Sequence, residues 1–389
     1  MVHNSKKWIW EHGEYPLFSY NKDKIKEKLR KAEYLRGLLA GILSFANKKE
    51  LDEIEIASIT DEIISTSQIE GEYLRRESVR DSVAKAINRE YTSAEDMSTR
   101  HTDNLAELML DSNRNSEPLS VERIHGWHNA IFANTGAHEG VKKINIAEFR
   151  NYDDMKVIEN LFSRGGEIVK YVAPPHHLIE KDIDALIEYC NTSDEDPYIK
   201  SALAHLWFVS IHPYDDGNGR ISRAIADYIL SRDTKEKHKI YSMSTAIYTN
   251  RVAYYETLDM TTNLHKNRHY DFTLWIEWNM DILISALERS HESILFIIKK
   301  TKFWDRYREV KLTKQHIQFL DTFIGSLSKE KKNEFSNANY REVTGTSPVT
   351  ASRHIQKLLE YGCIEQIEGK AGRSVSYTLL FDELDKKTV

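Results

Sequence analysis

The stretch His212-Pro213-Tyr214-Asp215-Asp216-Gly217-Asn218-Gly219-Arg220-Ile221-Ser222-Arg223 decides how the rest of the chain is read. Before it, Ile199, Leu203, Leu206, Trp207 and Ser210 fall on one helical face; after it, Ile221, Ala224, Ile225, Tyr228 and Ile229 do the same. The stretch is therefore a loop between two helices, ending at the N-terminus of the second. Such an end presents free backbone N–H groups and the positive pole of the helix dipole. Gly217 and Gly219 let the backbone approach an anion closely. Arg220 and Arg223, three residues apart, point to one side of a first helical turn and suit a ligand with several phosphates. Asp216 stands where a hard metal bridging those phosphates needs a carboxylate. His212, with an ordinary pKa near ~6.5, suits general-base work. Taken singly, each is more often a turn or solvated-face residue. In this order within twelve residues they point to phosphate chemistry.

The surrounding chain has 389 residues, a length that suggests two to three domains. Hydrophobic residues make up 40% and charged residues 29%, which fits a soluble globular protein rather than a disordered one. The net charge of -6 excludes a polycation built to coat nucleic acid, although one domain could still bind it. Cys190 and Cys363 are the only cysteines, far apart, so neither a disulfide framework nor a cysteine zinc site is expected. No stretch is long and apolar enough for a membrane span. Met1–Lys7 lacks the apolar core of a secretory signal, so a cytoplasmic location is expected.

Three regions separate by pattern: a helical domain at 1–90, a middle domain at 105–291 and a third domain at 310–389. In the first, Trp8, Trp10, Pro16 and Phe18 form an irregular aromatic opening. Asn21 then reads as an N-cap for a helix with Ile25, Leu29, Ala32, Leu35, Leu38 and Leu39 on one face. A second helix carries Leu51, Ile54, Ile59 and Ile63 and ends near Gly71. In the middle region, Val157–Ile158 and Ile168–Val172 flank Gly165-Gly166 and read as a lone β-hairpin, an edge feature or lid. The third region reads helix, helix, turn at Gly345, helix from Pro348 to Glu360, then two short strands: the outline of a winged helix-turn-helix. The fold class is mainly α.

The motif resembles the signature of the Fic family, His-Pro-Phe-x-Asp/Glu-Gly-Asn-Gly-Arg-x-x-Arg, at every position except the Phe, which is Tyr214. Tyr serves as the core anchor if its hydroxyl finds a partner. Met155–Val172 resembles the hairpin flap that precedes the motif in that family, and Ala147-Glu148-Phe149-Arg150 the short segment before the flap. The resemblance implies a Fic-type helical bundle and a protein adenylyltransferase, which moves AMP from ATP to a Ser, Thr or Tyr hydroxyl of a target protein. It implies His212 as the base and Asp216 as the ligand of Mg2+ between the α- and β-phosphates. It places the Gly217–Gly219 backbone at the anion hole, Asn218 on the α-phosphate, Arg220 on the β-phosphate and Arg223 on the γ-phosphate. Tyr254 and Tyr255 resemble the tyrosine pair that lines the adenosine side, where core packing is the equal alternative. The family's Asn seven residues beyond the second Tyr is Thr262 here.

Thr66-Ser67-Gln68-Ile69-Glu70-Gly71 resembles the family's inhibitory motif, Ser/Thr-x-x-x-Glu-Gly/Asn. A carboxylate is disfavoured at a helix C-terminus, so Glu70 asks for a partner. The resemblance implies that Glu70 takes Arg223 away from the γ-phosphate, and leaves open that it also supports removal of AMP by orienting a water. Trp8-Ile9-Trp10 is similar to a segment that accompanies this subgroup. Self-modification and a homodimer are further implications. In the third domain Arg353, Lys357, Lys370 and Arg373 could face DNA, but Glu342, Glu360, Glu365 and Glu368 nearly cancel them. DNA binding and protein docking both stay open. The alternative function is a nucleotide-sensing DNA-binding transcriptional regulator with a weakly active Fic core; an intact His212 favours the transferase.

Overall fold

Apolar residues at helical spacing, closed by side-chain caps, build most of the chain, and the computed structural model describes residues 6–88, 95–133, 144–161, 166–235, 238–330, 333–369 and 375–381. Two compact units result, residues 1–290 and 291–389. The first and middle regions of the sequence pack together in the first unit.

The first unit begins with a short 3-10 turn, Ile9–Glu11, then α1 (Lys22–Leu43), α2 (Lys48–Ile69) and α3 (Arg76–Ile87). Asn21 caps α1 by accepting the Asp23 N–H, and Asn47 and Glu50 cap α2 reciprocally. On α1, Ile25, Ala32, Leu35 and Leu39 are buried, whereas Leu38 is exposed. Next come α4 (Arg100–Arg114) and α5 (Val121–Phe132), then strands β1 (Lys156–Leu161) and β2 (Gly166–Val172). The strands pair antiparallel from Lys156 opposite Val172 to Leu161 opposite Gly166, with an irregularity between Val157 and Ile158. Gly166, expected in the turn, is thus a strand residue; Gly165 lies outside the described residues. Helices α6 (Ile179–Thr192), α7 (Pro197–Ile211), α8 (Asn218–Thr234), α9 (Met243–Thr249) and α10 (Arg251–Thr262) follow, and α11 (Thr273–Arg306) runs on past residue 290.

Helix α7 is the axle of this unit. Thirteen of its fifteen residues are buried, so it has no solvent face, and the one-sided pattern expected of it is the visible part of an all-round one. Its charges are matched: Lys200 pairs with Asp233 at 3.0 Å. Around it, Ile56, Ile59 and Ile63 of α2, Leu105 of α4, Trp127 of α5, Leu186 of α6 and Ile225 of α8 form one apolar core. The aromatic opening fastens the hairpin root. Trp8 packs edge-on against Tyr171 with ring centres 5.2 Å apart, and the Trp10 indole N–H donates to the Val172 carbonyl at 2.8 Å.

In the second unit, α12 (Lys314–Glu330), α13 (Asn337–Thr344) and α14 (Pro348–Glu360) precede β3 (Ile364–Gln366) and β4 (Tyr377–Leu379), an antiparallel pair. Gly345, at φ +66°, ends α13 in the left-handed conformation, and Ser347 with Pro348 starts α14. Phe319, Tyr340, Ile355, Leu358, Cys363 and Leu379 share its core. The fold is mainly α, as expected, and among the described residues the β-strands are confined to these two hairpins, with isolated bridges such as Trp8–Asn263 and Phe335–Tyr377. Both cysteines are buried and free. No helix among the described residues is long and apolar enough to cross a membrane.

Candidate active site

The quoted stretch connects α7 to α8. His212 ends α7 at φ 51° and ψ 57°, left-handed and unusual for a residue with a Cβ. Its N–H still closes the last turn on the Phe208 carbonyl at 3.0 Å. Tyr214 then plunges into the core, wholly buried and stacked on the His128 ring at 4.0 Å. Its hydroxyl meets His125 Nδ1 at 2.7 Å, the partner that a Tyr in place of Phe requires. The Asn218 amide brackets Tyr214: Oδ1 accepts the Tyr214 N–H at 3.0 Å and Nδ2 donates to its carbonyl at 2.8 Å. The Asn218 side chain is therefore spent on closing the loop. Gly217 caps α8 at φ +81°, and a Cβ there would come within 2.8 Å of the Phe132 ring. No side chain caps α8. Its first N–H groups have no intrahelical acceptor, so this helix end can receive an anion.

Arg150 ties this loop to the hairpin. Its N–H donates to the Pro213 carbonyl at 2.8 Å, and its guanidinium donates to the carbonyls of His212, Tyr152 and Pro174. Asp215 adds a second tie, accepting the Tyr152 hydroxyl at 2.8 Å and the Asn145 N–H at 3.1 Å. His128 accepts the Ala147 N–H at Nδ1, so its Nε2–H donates to the Asp216 carbonyl at 3.2 Å. Burial pushes the His128 pKa down to about 4, which keeps that neutral form in place.

His212 has the geometry of a base. Its Nδ1 faces the Val209 carbonyl at 3.1 Å; a carbonyl only accepts, so Nδ1 carries the proton and Nε2 keeps its lone pair. Burial lowers its pKa below the usual histidine value, opposed by the Val209 hydrogen bond and helped by the Arg150 charge. It is thus neutral at pH 7.

Both arginines of the stretch are buried, and the C-terminal turn of α2 meets them. Arg223 Nη2 donates to Glu70 Oε1 at 2.7 Å, and its Nε donates to Thr66 Oγ1 at 2.8 Å. Thr66 and Glu70, one turn apart, grip the same guanidinium. The Glu70 carboxylate also lies directly over Gly219, where an added Cβ would overlap it. It occupies the mouth of the α8 anion site. Burial opposes the Arg223 charge, but the Glu70 carboxylate outweighs it and raises the Arg223 pKa. Arg223 Nη1 and Arg220 Nε, both buried, have no partner among the described residues. Two unspent N–H donors beside an uncapped helix end are what a polyphosphate would engage.

Asp216 is exposed, with Oδ1 3.9 Å from Arg220 Nη2. Among the described residues no three His, Cys, Asp or Glu side chains gather as a metal cage. One carboxylate beside a phosphate site fits Mg2+, which keeps waters and takes phosphate oxygens as its other ligands. The tyrosine pair is split. Tyr254 is 2% exposed and meets His205 Nε2 at 3.1 Å in the core. Tyr255 is 44% exposed, its hydroxyl 3.5 Å from the Ile69 carbonyl at the end of α2. Their exposures differ, yet the two rings touch, with centres 5.1 Å apart, and both lie near the Arg223–Glu70 pair. In the second unit Arg353 is exposed and Lys357 pairs with Glu360 at 2.6 Å; Lys370 and Arg373 lie outside the described residues.

Sequence reasoning missed Glu72, whose Oε2 accepts from Arg220 Nη1 at 3.0 Å, and His101, whose Nε2 meets Glu72 Oε1 at 2.9 Å. It also gave Arg150 and His128 no role. Only Glu72 had a local signal, its position two residues after Glu70.

Comparison with known proteins agrees with this architecture. The model of the Fic/DOC family matches residues 118–230, and a domain of unknown function (DUF4172) matches residues 8–88. A Fic family protein from Desulfovibrio desulfuricans is similar in fold, with a TM-score of 0.53 at 18% identity, covering 94% of this chain and 98% of that one. A Fido domain-containing protein of Dictyostelium discoideum is 42% identical over 57 residues, 14% of this chain. The chain spans 40% of the length of that curated relative.

Proposed function

We propose, for a chain whose residues 118–230 are a Fic/DOC family domain, that it is a protein adenylyltransferase held in check by Glu70. The observation that carries this reading is the Glu70 carboxylate seated over Gly219 and paired with Arg223 at the uncapped end of α8. A carboxylate there stands in for the phosphate oxygens the site is built to hold.

In the reaction His212 Nε2 takes the proton of a target Ser, Thr or Tyr hydroxyl as its oxygen bonds to the α-phosphorus of ATP. The bond from that phosphorus to the bridging oxygen breaks, and pyrophosphate leaves. The Gly217–Gly219 backbone N–H groups and the two arginines hold the charge that develops on the phosphate oxygens. Mg2+ held by Asp216 would supply further charge neutralisation. The unspent N–H groups of Arg220 and Arg223 support a ligand with phosphates beyond the first. Tyr255, at the open rim, is the better placed of the tyrosine pair for the nucleoside, and Tyr254 supports it from the core. The hairpin root, fixed by Arg150, Tyr152 and Trp10, is a rigid base for a flap that lines up the target segment. Glu70 could also orient a water for AMP removal. The third domain, a winged helix in its order of elements, selects target or place, by protein contact or by DNA.

The test is mass spectrometry of wild type, Glu70→Gly and Glu70→Gly/His212→Ala after incubation with ATP and Mg2+, alone and with cell lysate. AMP gained by self or lysate proteins with Glu70→Gly only supports transferase, base and brake together. Silence in every arm moves the reading to a nucleotide-sensing regulator.

A further inference from the structure

Arg220, unlike Arg223, is paired with Glu72 rather than Glu70. Its Nη1 donates to Glu72, whose other oxygen is taken by His101. The guanidinium lies over the Phe132 ring with 4.9 Å from its central carbon to the ring centre, and its Nε is buried without a partner among the described residues. One edge is thus anchored, one face is backed by an aromatic ring, and one N–H is left unspent.

The placement of Glu72 follows from how α2 ends. Gly71, at φ +85°, donates to the Gln68 carbonyl at 3.1 Å, and Glu72 N–H donates to the Ser67 carbonyl at 2.9 Å. This pair of bonds reverses the chain at a glycine, so Glu70 and Glu72 both reach α8 from one turn. The two carboxylates differ in their bracing. Among the described residues Glu70 has Arg223 as its sole ion-pair partner and lies in the anion site itself. Glu72 has a partner on each oxygen. Burial works to raise its pKa, but the His101 hydrogen bond and the Arg220 charge outweigh it and hold the carboxyl below its ordinary value. A carboxylate fixed from both sides is suited to orient the arginine rather than to trade places with a ligand.

We infer that Glu72, braced by His101, is a positioning residue for Arg220, holding its guanidinium in the orientation that receives the second phosphate of the nucleotide. This rests on the nucleotide-binding reading above. It assigns the C-terminal turn of α2 two opposite effects: Glu70 blocks the site, and Glu72 prepares it. An arginine oriented in advance loses less side-chain freedom when the ligand arrives.

The experiment is titration calorimetry of the full chain with Mg2+ and ATP, ADP or AMP, in the Glu70→Gly background so that the site is open. Adding Glu72→Ala is expected to weaken ATP and ADP roughly tenfold, in the range of one charge-assisted hydrogen bond, and to leave AMP unchanged because it lacks the second phosphate. His101→Ala is expected to move the same two ligands in the same direction by less, and Glu72→Gln to recover part of the loss. ATP and ADP affinities that stay level or rise overturn the inference, a rise making Glu72 a competitor like Glu70. An equal fall for AMP overturns it too, since general damage to the loop would do that. If the Glu70→Gly parent binds no nucleotide at all, the functional reading falls and takes this inference with it. A parent that binds normally with Glu72→Ala indistinguishable from it removes this inference alone.

Discussion

Replacing Glu70 by Gly should raise AMP transfer and lower stability in the same protein. Glu70 Oε1 and Arg223 Nη2 are 2.7 Å apart, with side-chain exposures of 27% and 3%. A hydrogen bond between charged groups contributes about 1.5–3 kcal/mol. If transfer requires that this contact be broken, the open form of the wild type is populated at roughly one part in 10 to one part in 100. Glu70→Gly should therefore transfer AMP about 10- to 100-fold faster. The same change leaves a buried guanidinium without its carboxylate. Thr66 keeps its Oγ1 on Arg223 Nε and its carbonyl on Nη2, so the loss falls near the low end for a broken buried pair, about 1–3 kcal/mol. At about 2–4 °C per kcal/mol the melting temperature should drop roughly 2–12 °C. Transfer is read by mass spectrometry of AMP-modified peptides at fixed ATP, stability by a thermal melt without nucleotide. A transfer rate equal to wild type on both self and lysate proteins, with the melt lowered as expected, would refute the reasoning: the ion pair would then be structural only.

Four further outcomes follow from the structure. His212→Ala in the Glu70→Gly background should abolish transfer and keep ATP binding. Because the His212 pKa is lowered, the acid limb of the pH–rate profile should fall below pH ~6.5, and a limb above that value argues for another base. Gly217→Ala combines φ +81° with an overlap against Phe132, so urea unfolding should show a loss of about 1–3 kcal/mol; an unchanged midpoint would mean that the loop relaxes freely. His205, lowered by burial to about 3, and His128, to about 4, stay neutral in the fold while the unfolded chain takes up protons below about 6.5. Their contribution is complete above that pH and declines as pH falls from ~6.5 toward 4, by up to about 1.4 kcal/mol per unit for each histidine. Unfolding of wild type and His205→Asn at pH 7.5 and 5 measures this, and equal pH slopes would count against it.

What the sequence made legible was local. The helices around the stretch, the cap at Asn21, and the hairpin before the motif all rest on spacing within a few residues. The partnership of Glu70 with Arg223 crosses 153 positions and was readable only because the spacing Thr66-x-x-x-Glu70 resembles a known motif. Glu72 and His101 carry no such spacing. Their pairing with Arg220 exists because α2 ends in a reversing turn and α4 packs beside it, facts of tertiary placement. Arg150 stood out only as part of a segment resembling one before the flap; its burial among carbonyls, which makes it the joint of loop and hairpin, is not readable from that segment. The Asn218 side chain closes the loop on the Tyr214 backbone, a contact its place in the motif did not reveal. The pattern of α7 understated its burial, since small residues such as Ala202, Ala204 and Ser201 complete the buried surface without signalling it.

The docking of α2 bears on what kind of switch Glu70 would be under the proposed function. Glu62 is buried and accepts the Ser242 hydroxyl at 2.8 Å and the Ser244 N–H at 3.1 Å, and Ser65 meets Thr245 at 2.9 Å. Ile56, Ile59 and Ile63 add about 1.5–3 kcal/mol each in burial. Peeling the helix away would forfeit all of this, whereas turning the Glu70 side chain breaks one ion pair. The easier motion is the rotamer change, and exposed rotamers interconvert in picoseconds to nanoseconds. If Glu70 is the brake proposed above, a gate of that kind would not latch. It would leak in proportion to the rotamer ratio, and rising ATP would open it by mass action, a graded response to nucleotide supply.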